Sequence, residues 1–275
     1  QITTDVSKKI YYTTGHGETT LSTSLSDELE KSSVTTEELN LLMVEEIPSD
    51  CDLILIDAPT SDISEQEETM LLNYMSEGGK VIYVMGDAST ETPNLNAFME
   101  QYGMTKTDGY IADMQRCYQG NYYYIFPEIS ASGDLGDGLE SDMVLLVNSA
   151  GFTVQEDLRD TLSVTQVMTT SSEGYAVTEE AQKQGEYTLA AVAEEDDAKL
   201  TVIASESMIN SRITEYFSNL DNSRLFLNLV MNNFDDVENL SIKAKSLSVE
   251  LNTVQHAGSI STALIFGVPA VVLIG

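Results

Sequence analysis

Apolar residues along the chain gather in short unbroken runs, separated by polar stretches that suit helices, most plainly between Asp52 and Val84. Leu53 to Ile56 is continuously apolar, and Pro59 and Thr60 break the run. Ser64 then stands before Glu65, Glu67 and Glu68 as the cap and acidic first turn of a helix that Gly78-Gly79 ends, and a second apolar strand runs to Val84. Neither strand alternates, which is the pattern of burial on both faces. The unit therefore predicts two parallel strands in a sheet with helices on both faces, and an α/β fold.

The same alternation of elements precedes this unit. Lys9 to Thr14 predicts a strand, Gly15-His16-Gly17-Glu18 a turn, Leu21 to Lys31 a helix capped by Ser22 or Thr20, and Val34 to Leu42 a second strand. Met85-Gly86-Asp87 closes the strand that ends at Val84, and a short helix from Leu95 to Tyr102 follows. From Met104 to Ile129 the aromatic residues predict antiparallel strands or a sheet edge, and Ser130 to Asp142 is a Gly-, Ser- and Asp-rich loop. Strands are expected at Met143–Val147, Leu162–Thr169, Tyr187–Ala193 and Leu200–Ala204, the last two joined as a hairpin through the charged turn Glu194–Lys199. Ser205-Glu206-Ser207 is placed to start a helix, Ser223–Phe234 has the best amphipathic spacing of the second half, and Ile242–Val249 alternates as a strand would. The chain thus divides into an α/β core over residues 1–129, a continuation over 130–250 that adds β-rich elements to the same sheet, and an apolar tail over 251–275.

That tail changes the picture of where the chain works. It carries no formal charge and ends in ALIFGVPAVVLIG, a run with a proline that is awkward in a central strand and tolerated in a membrane helix. It is expected to be the start of a membrane-spanning helix, with a buried C-terminal element as the alternative. The charge balance is also unusual. With 45 acidic and 13 basic residues the formal net charge is −32, which repels phosphate backbones and anionic lipid, so nucleic acid is excluded as a partner. Cys51 and Cys117 lie in no metal-ligand spacing and are expected as two free thiols, although one disulfide between them is open.

Candidate chemistry is thin. Gly15, His16, Gly17 and Glu18 form a turn at the C-terminal end of a strand, where doubly wound sheets bind ligands, so His16 and Glu18 are a candidate base and its orienting partner. The plainer alternative is a tight glycine turn with polar helix caps. Asp57, Asp87 and Glu206 each end or follow a buried strand and, with Thr60, are candidate ligand contacts in the same crevice. A carboxylate cluster there could take Ca²⁺ or Mg²⁺, or simply hold loops. No G-x-S-x-G elbow and no phosphate loop is present, since Gly78-Gly79-Lys80 has the wrong spacing. Asp134, Asp137, Glu140 and Asp142 do not follow calcium-loop spacing. Tyr118, Tyr122, Tyr123 and Tyr124 are either core or a platform for sugar or peptide. No metal and no cofactor is called for.

Taken in order, KIYYTTGHGE, DLILIDAPTSDISEQE, YMSEGGKVI, LTVIASESMINS and NLVMN, with the closing apolar segment, resemble the soluble domain of GldG-like proteins, auxiliary subunits of ABC transport systems related to the gliding-motility transporter. The resemblance implies a Rossmann-like domain similar to class I glutamine amidotransferases but without their nucleophile. It also implies a non-catalytic extracytoplasmic location beside an ABC permease and a separate ATPase, with a tether to the cell membrane through flanking helices. Ala204-Ser205-Glu206-Ser207 departs from the Gly-Asp-Ser type of text such a turn would carry, which counts against a ligand role there. The alternatives are a hydrolase or amidotransferase relative using His16 and the carboxylates, and a carbohydrate- or peptide-binding module using the tyrosines.

Overall fold

Unbroken apolar runs become the centre of the sheet. In the computed structural model, which describes residues 7–141, 143–217 and 219–234, the chain runs through β1 (Lys8–Thr14), α1 (Thr23–Lys31), β2 (Val34–Asn40), β3 (Leu53–Asp57), α2 (Glu65–Ser76), β4 (Lys80–Val84) and α3 (Pro93–Gln101). There follow β5 (Met104–Lys106), β6 (Tyr110–Asp113), β7 (Cys117–Tyr118), β8 (Asn121–Ile125), β9 (Glu128–Ile129), β10 (Leu146–Val147) and β11 (Phe152–Val154). The last described elements are β12 (Leu162–Thr169), β13 (Gly174–Val177), β14 (Gln182–Gln184), β15 (Thr188–Glu195), β16 (Ala198–Ile203), α4 (Ser211–Tyr216) and α5 (Asn222–Met231).

The main sheet has ten strands. Its first half is parallel, in the order β2-β1-β3-β4-β16, and β15, β11, β5, β12 and β9 extend it antiparallel. Two small antiparallel sheets, β10-β8-β7 and β14-β13-β6, accompany it. Every residue of β3 is buried, as are the last four of β4, and Tyr83, Phe98, Phe152 and Phe226 are among the largest fully buried side chains. At ~1.5–3 kcal/mol for each large apolar side chain removed from water, these runs supply the main driving force for the sheet.

The order 2-1-3-4 is that of a doubly wound sheet, in which the chain leaves β1 for one neighbour and later returns to place β3 on its other side. The C-terminal ends of β1 and β3 are then the switch point at which sheets of this order commonly bind ligands. The α/β expectation is met, with β16 from late in the chain taking the fifth parallel position.

Several expected boundaries shift for identifiable reasons. The strand expected to run to Leu42 stops at Asn40, whose side chain accepts from the Leu42 amide at 3.0 Å and caps a 3₁₀ turn over Leu41–Met43. The strand expected over Met143–Val147 pairs only at Leu146–Val147. The Asn222 side chain takes both the amide and the carbonyl of Leu145, at 2.9 and 3.0 Å, and so removes that residue from any ladder. The Glu194–Lys199 turn tightens to Asp196-Asp197, with Asp196 at φ +50° and both flanking glutamates drawn into β15. Ser205 starts one 3₁₀ turn, Glu206–Met208, in place of a longer helix. The expected strand over residues 242–249 and the apolar tail over 251–275 lie outside the described residues. Among the described residues no helix is long and apolar enough to cross a membrane.

Candidate functional site

The turn after β1 is built on glycine. Gly15 and Gly17 have φ of +120° and +75°, and a Cβ on Gly17 would fall 2.0 Å from the Thr60 hydroxyl oxygen, so no side chain fits between these loops. The His16 carbonyl accepts from the amides of Thr60 at 2.9 Å and Ser61 at 3.1 Å, and from both of their hydroxyls. The loop after β1 is thereby clamped to the loop after β3. Ala58, directly after Asp57, sits at φ +49°, a left-handed conformation that turns the chain sharply at the strand end.

His16 is 6% exposed and lies between two buried carboxylates. Its Nε2 is 3.2 Å from Glu67 Oε2, and its Nδ1 is 3.5 Å from Glu18 Oε1, longer than a hydrogen bond. The His16 amide donates to Glu18 Oε2 at 2.7 Å. Glu67 is the third residue of α2 and completes a capping box, accepting from the Ser64 amide and hydroxyl, each at 2.8 Å, while the Ser64 hydroxyl accepts from the Glu67 amide. One carboxylate oxygen therefore fixes both the start of α2 and the imidazole. No hydroxyl or thiol nucleophile contacts the ring among its described partners.

Asp57 ends β3 at 3% exposure, and its Oδ1 has no hydrogen-bond partner. Burial, then the neighbouring Glu206 and Glu18, push its carboxyl pKa up to about 8. Asp57 and Glu206 line a cavity of about 80 Å³ with residues 19–22 just before α1, Leu25 within it, and residues 209–211 at the start of α4. His16 does not line it.

Of the residues singled out from sequence, the fold brings together His16, Glu18, Asp57, Thr60 and Glu206 with the glycines that shape their turn. Asp87 goes elsewhere: it is exposed, and its carboxylate accepts from the Ser89 amide at 2.9 Å and the Tyr110 hydroxyl at 2.6 Å. Glu67 was not anticipated in the crevice, although Ser64-x-x-Glu67 is a sequence-visible capping box. Among the described residues no group of three or more His, Cys, Asp or Glu is placed to hold a metal ion. Both cysteines are free, and burial pushes the Cys51 thiol up to about 11. Tyr122 is 45% exposed, and Phe126 and Phe217 meet the Tyr118 ring edge-on, at 73° and 80°. A larger cavity of about 490 Å³ opens at the opposite, N-terminal ends of β1, β3 and β4, beside Lys8, Asp52 and Lys80.

Residues 7–122 match the family model described as ABC-type uncharacterized transport system. Over that segment, which is less than half of the 275 residues, the chain is similar to ABC transport auxiliary proteins. The matched segment includes His16, Glu18, Asp57, Thr60 and Glu67 and stops short of Glu206. No curated protein matches the sequence. Among solved structures, the chain is similar to the mmIFT52 N-terminal domain, with a TM-score of 0.62 and 16% identity over 84% of this chain and all of that one. It is also similar to a putative ThuA-like protein from Bacteroides uniformis ATCC 8492, with a TM-score of 0.52 and 12% identity over 84% of this chain and 93% of that one. A third likeness is to the cytoplasmic protein STM1381 from Salmonella typhimurium LT2, with a TM-score of 0.53 and 11% identity over 82% and 98% of the two chains. At these identities the likeness is one of fold alone.

Proposed function

We propose that the chain is the non-catalytic, extracytoplasmic domain of a membrane-tethered accessory subunit of an ABC transport system, and that it binds a partner subunit or the transported substrate. The observation that carries the proposal is the family match over residues 7–122, which takes in the whole turn after β1 and the end of β3. The site chemistry agrees with it. Acyl transfer needs an activated nucleophile beside its base, whereas His16 is buried between Glu18 and Glu67 and is set apart from the cavity. In this reading the clamp between the two loops preserves the shape of the crevice.

The test is reconstitution. The full-length protein, with whatever flanks residues 1–275, is expected to co-purify with the permease and ATPase encoded beside it after membrane solubilisation, and a protease added outside intact cells is expected to reach the domain. Absence of both results would overturn the proposal. A hydrolase or amidotransferase role is favoured by one feature, the 3.2 Å approach of His16 to Glu67. It requires turnover of an ester or amide panel that His16→Gln abolishes.

A further inference from the structure

The cavity at the end of β3 has a chemistry that the transport assignment does not explain. It is lined by two acidic residues, Asp57 and Glu206, and by the apolar Leu21, Leu25 and Ile209. Asp57 is almost wholly buried, with Oδ1 unpartnered, so the fold has taken a carboxyl out of water and given it nothing to bond. The charged groups that bear on it, Glu206 and Glu18, have its own sign. The one imidazole nearby is directed at Glu18 and Glu67. A volume of about 80 Å³ holds several waters, or a small head group with a short carbon chain, and no more.

Each property narrows the ligand. Burial and the like-charged Glu206 hold the proton on Asp57, and a cation placed between the two carboxyl groups takes that proton's place, so the cavity selects a cation and releases a proton on binding it near neutrality. A divalent metal is a poor fit, because only two carboxylates reach the cavity and part of its wall is apolar. An ammonium group offers three hydrogen-bond donors, enough for both carboxylates and a neighbouring polar group such as Asn210, and its alkyl chain suits the leucine and isoleucine wall. We propose that this cavity binds a primary alkylammonium, with the charged head between Asp57 and Glu206 and the carbon chain against Leu21, Leu25 and Ile209. The proposal stands apart from the transport reading, since a chain that joins no transporter can still bind an amine. The ammonium belongs either to a free small amine or to a lysine side chain offered by another protein.

Isothermal titration calorimetry on the whole chain decides the matter, using n-butylamine hydrochloride and Nα-acetyl-lysine N-methylamide as probes and tetramethylammonium and calcium chloride as comparators. Butylammonium is expected to bind with a Kd of about 1 mM or tighter. The affinity is expected to fall at least about tenfold in Asp57→Asn and in Glu206→Gln, and tetramethylammonium, which has no N–H donor, is expected not to bind. Because Glu206 is exposed, its substitution keeps the fold even if Asp57→Asn were to alter it. Binding of butylammonium with no binding of the lysine derivative, whose side chain carries the same ammonium on the same four-carbon stem, identifies a free amine as the ligand, and binding of the lysine derivative at equal or higher affinity identifies a partner's lysine. No heat with either amine, unchanged affinity in both variants, or displacement of butylammonium by calcium would overturn the proposal.

Discussion

At Asp57 burial to 3% exposure, which leaves one carboxyl oxygen unbonded, and then the neighbouring Glu206 and Glu18 raise the pKa to about 8. In the unfolded chain the same group titrates near ~3.9. The folded state therefore holds its proton more tightly, and stability from this residue is fully present below the unfolded value and drains away as pH rises toward 8. Above that point both states are ionised and the loss is constant. Asp57→Asn removes the titration, so its melting temperature relative to the parent protein is expected to rise steadily from pH 5 to pH 8 and then level off. Thermal denaturation of both proteins across pH 5 to 9.5 checks this, and a parallel shift at all pH values would mean that Asp57 ionises freely in the fold.

The helix α2 shows how one element ties the crevice to the core. Ser64 caps it, Glu67 closes the capping box and faces His16, and Leu71 and Met75 bury its inner face. Ser64→Ala is expected to cost about 1 kcal/mol or somewhat more, roughly 2–4 °C in melting temperature for a domain of this size. Part of that cost is expected to vanish in a His16→Gln background, because both residues share Glu67 Oε2, and a double-mutant cycle measures the coupling. This helix and its flanking strands were legible in the sequence because each boundary carries its own local cause: a capping box, a glycine pair, unbroken apolar runs. By contrast β14 is Gln182–Gln184, wholly exposed, and pairs only because β13 lies beside it, so nothing local announces it. The site divides the same way. Asp57 and Glu206 could be read as polar residues at the ends of apolar runs, whereas the meeting of Glu67 with His16 depends on how α2 packs against the turn after β1. Asp87 ended an equally apolar strand, but Ser89 and Tyr110 hold its side chain at the surface.

Over the whole molecule the dominant electrostatic fact is a formal charge of −32 on 275 residues. Local pairs offset little of it. Arg159 bonds Glu195, and Lys9 meets Glu37 and Asp50, but these pairs are partly or largely exposed, and such contacts contribute ~0–1 kcal/mol each. The unpaired acidic surface repels itself in the compact state and less so in the expanded unfolded chain. Salt weakens that repulsion, since the Debye length shrinks from ~30 Å at 0.01 M to ~10 Å at 0.1 M and ~3 Å at 1 M. Melting temperature at pH 7.5 is therefore expected to rise by several degrees between 10 mM and 500 mM sodium chloride, and most steeply below 100 mM, where the screening length changes most. A stability set mainly by surface ion pairs would respond in the opposite direction, because salt screens attraction as readily as repulsion. The sign of the salt dependence, measured by calorimetry or circular dichroism melts in a single buffer, thus decides whether repulsion or pairing governs the surface of this domain.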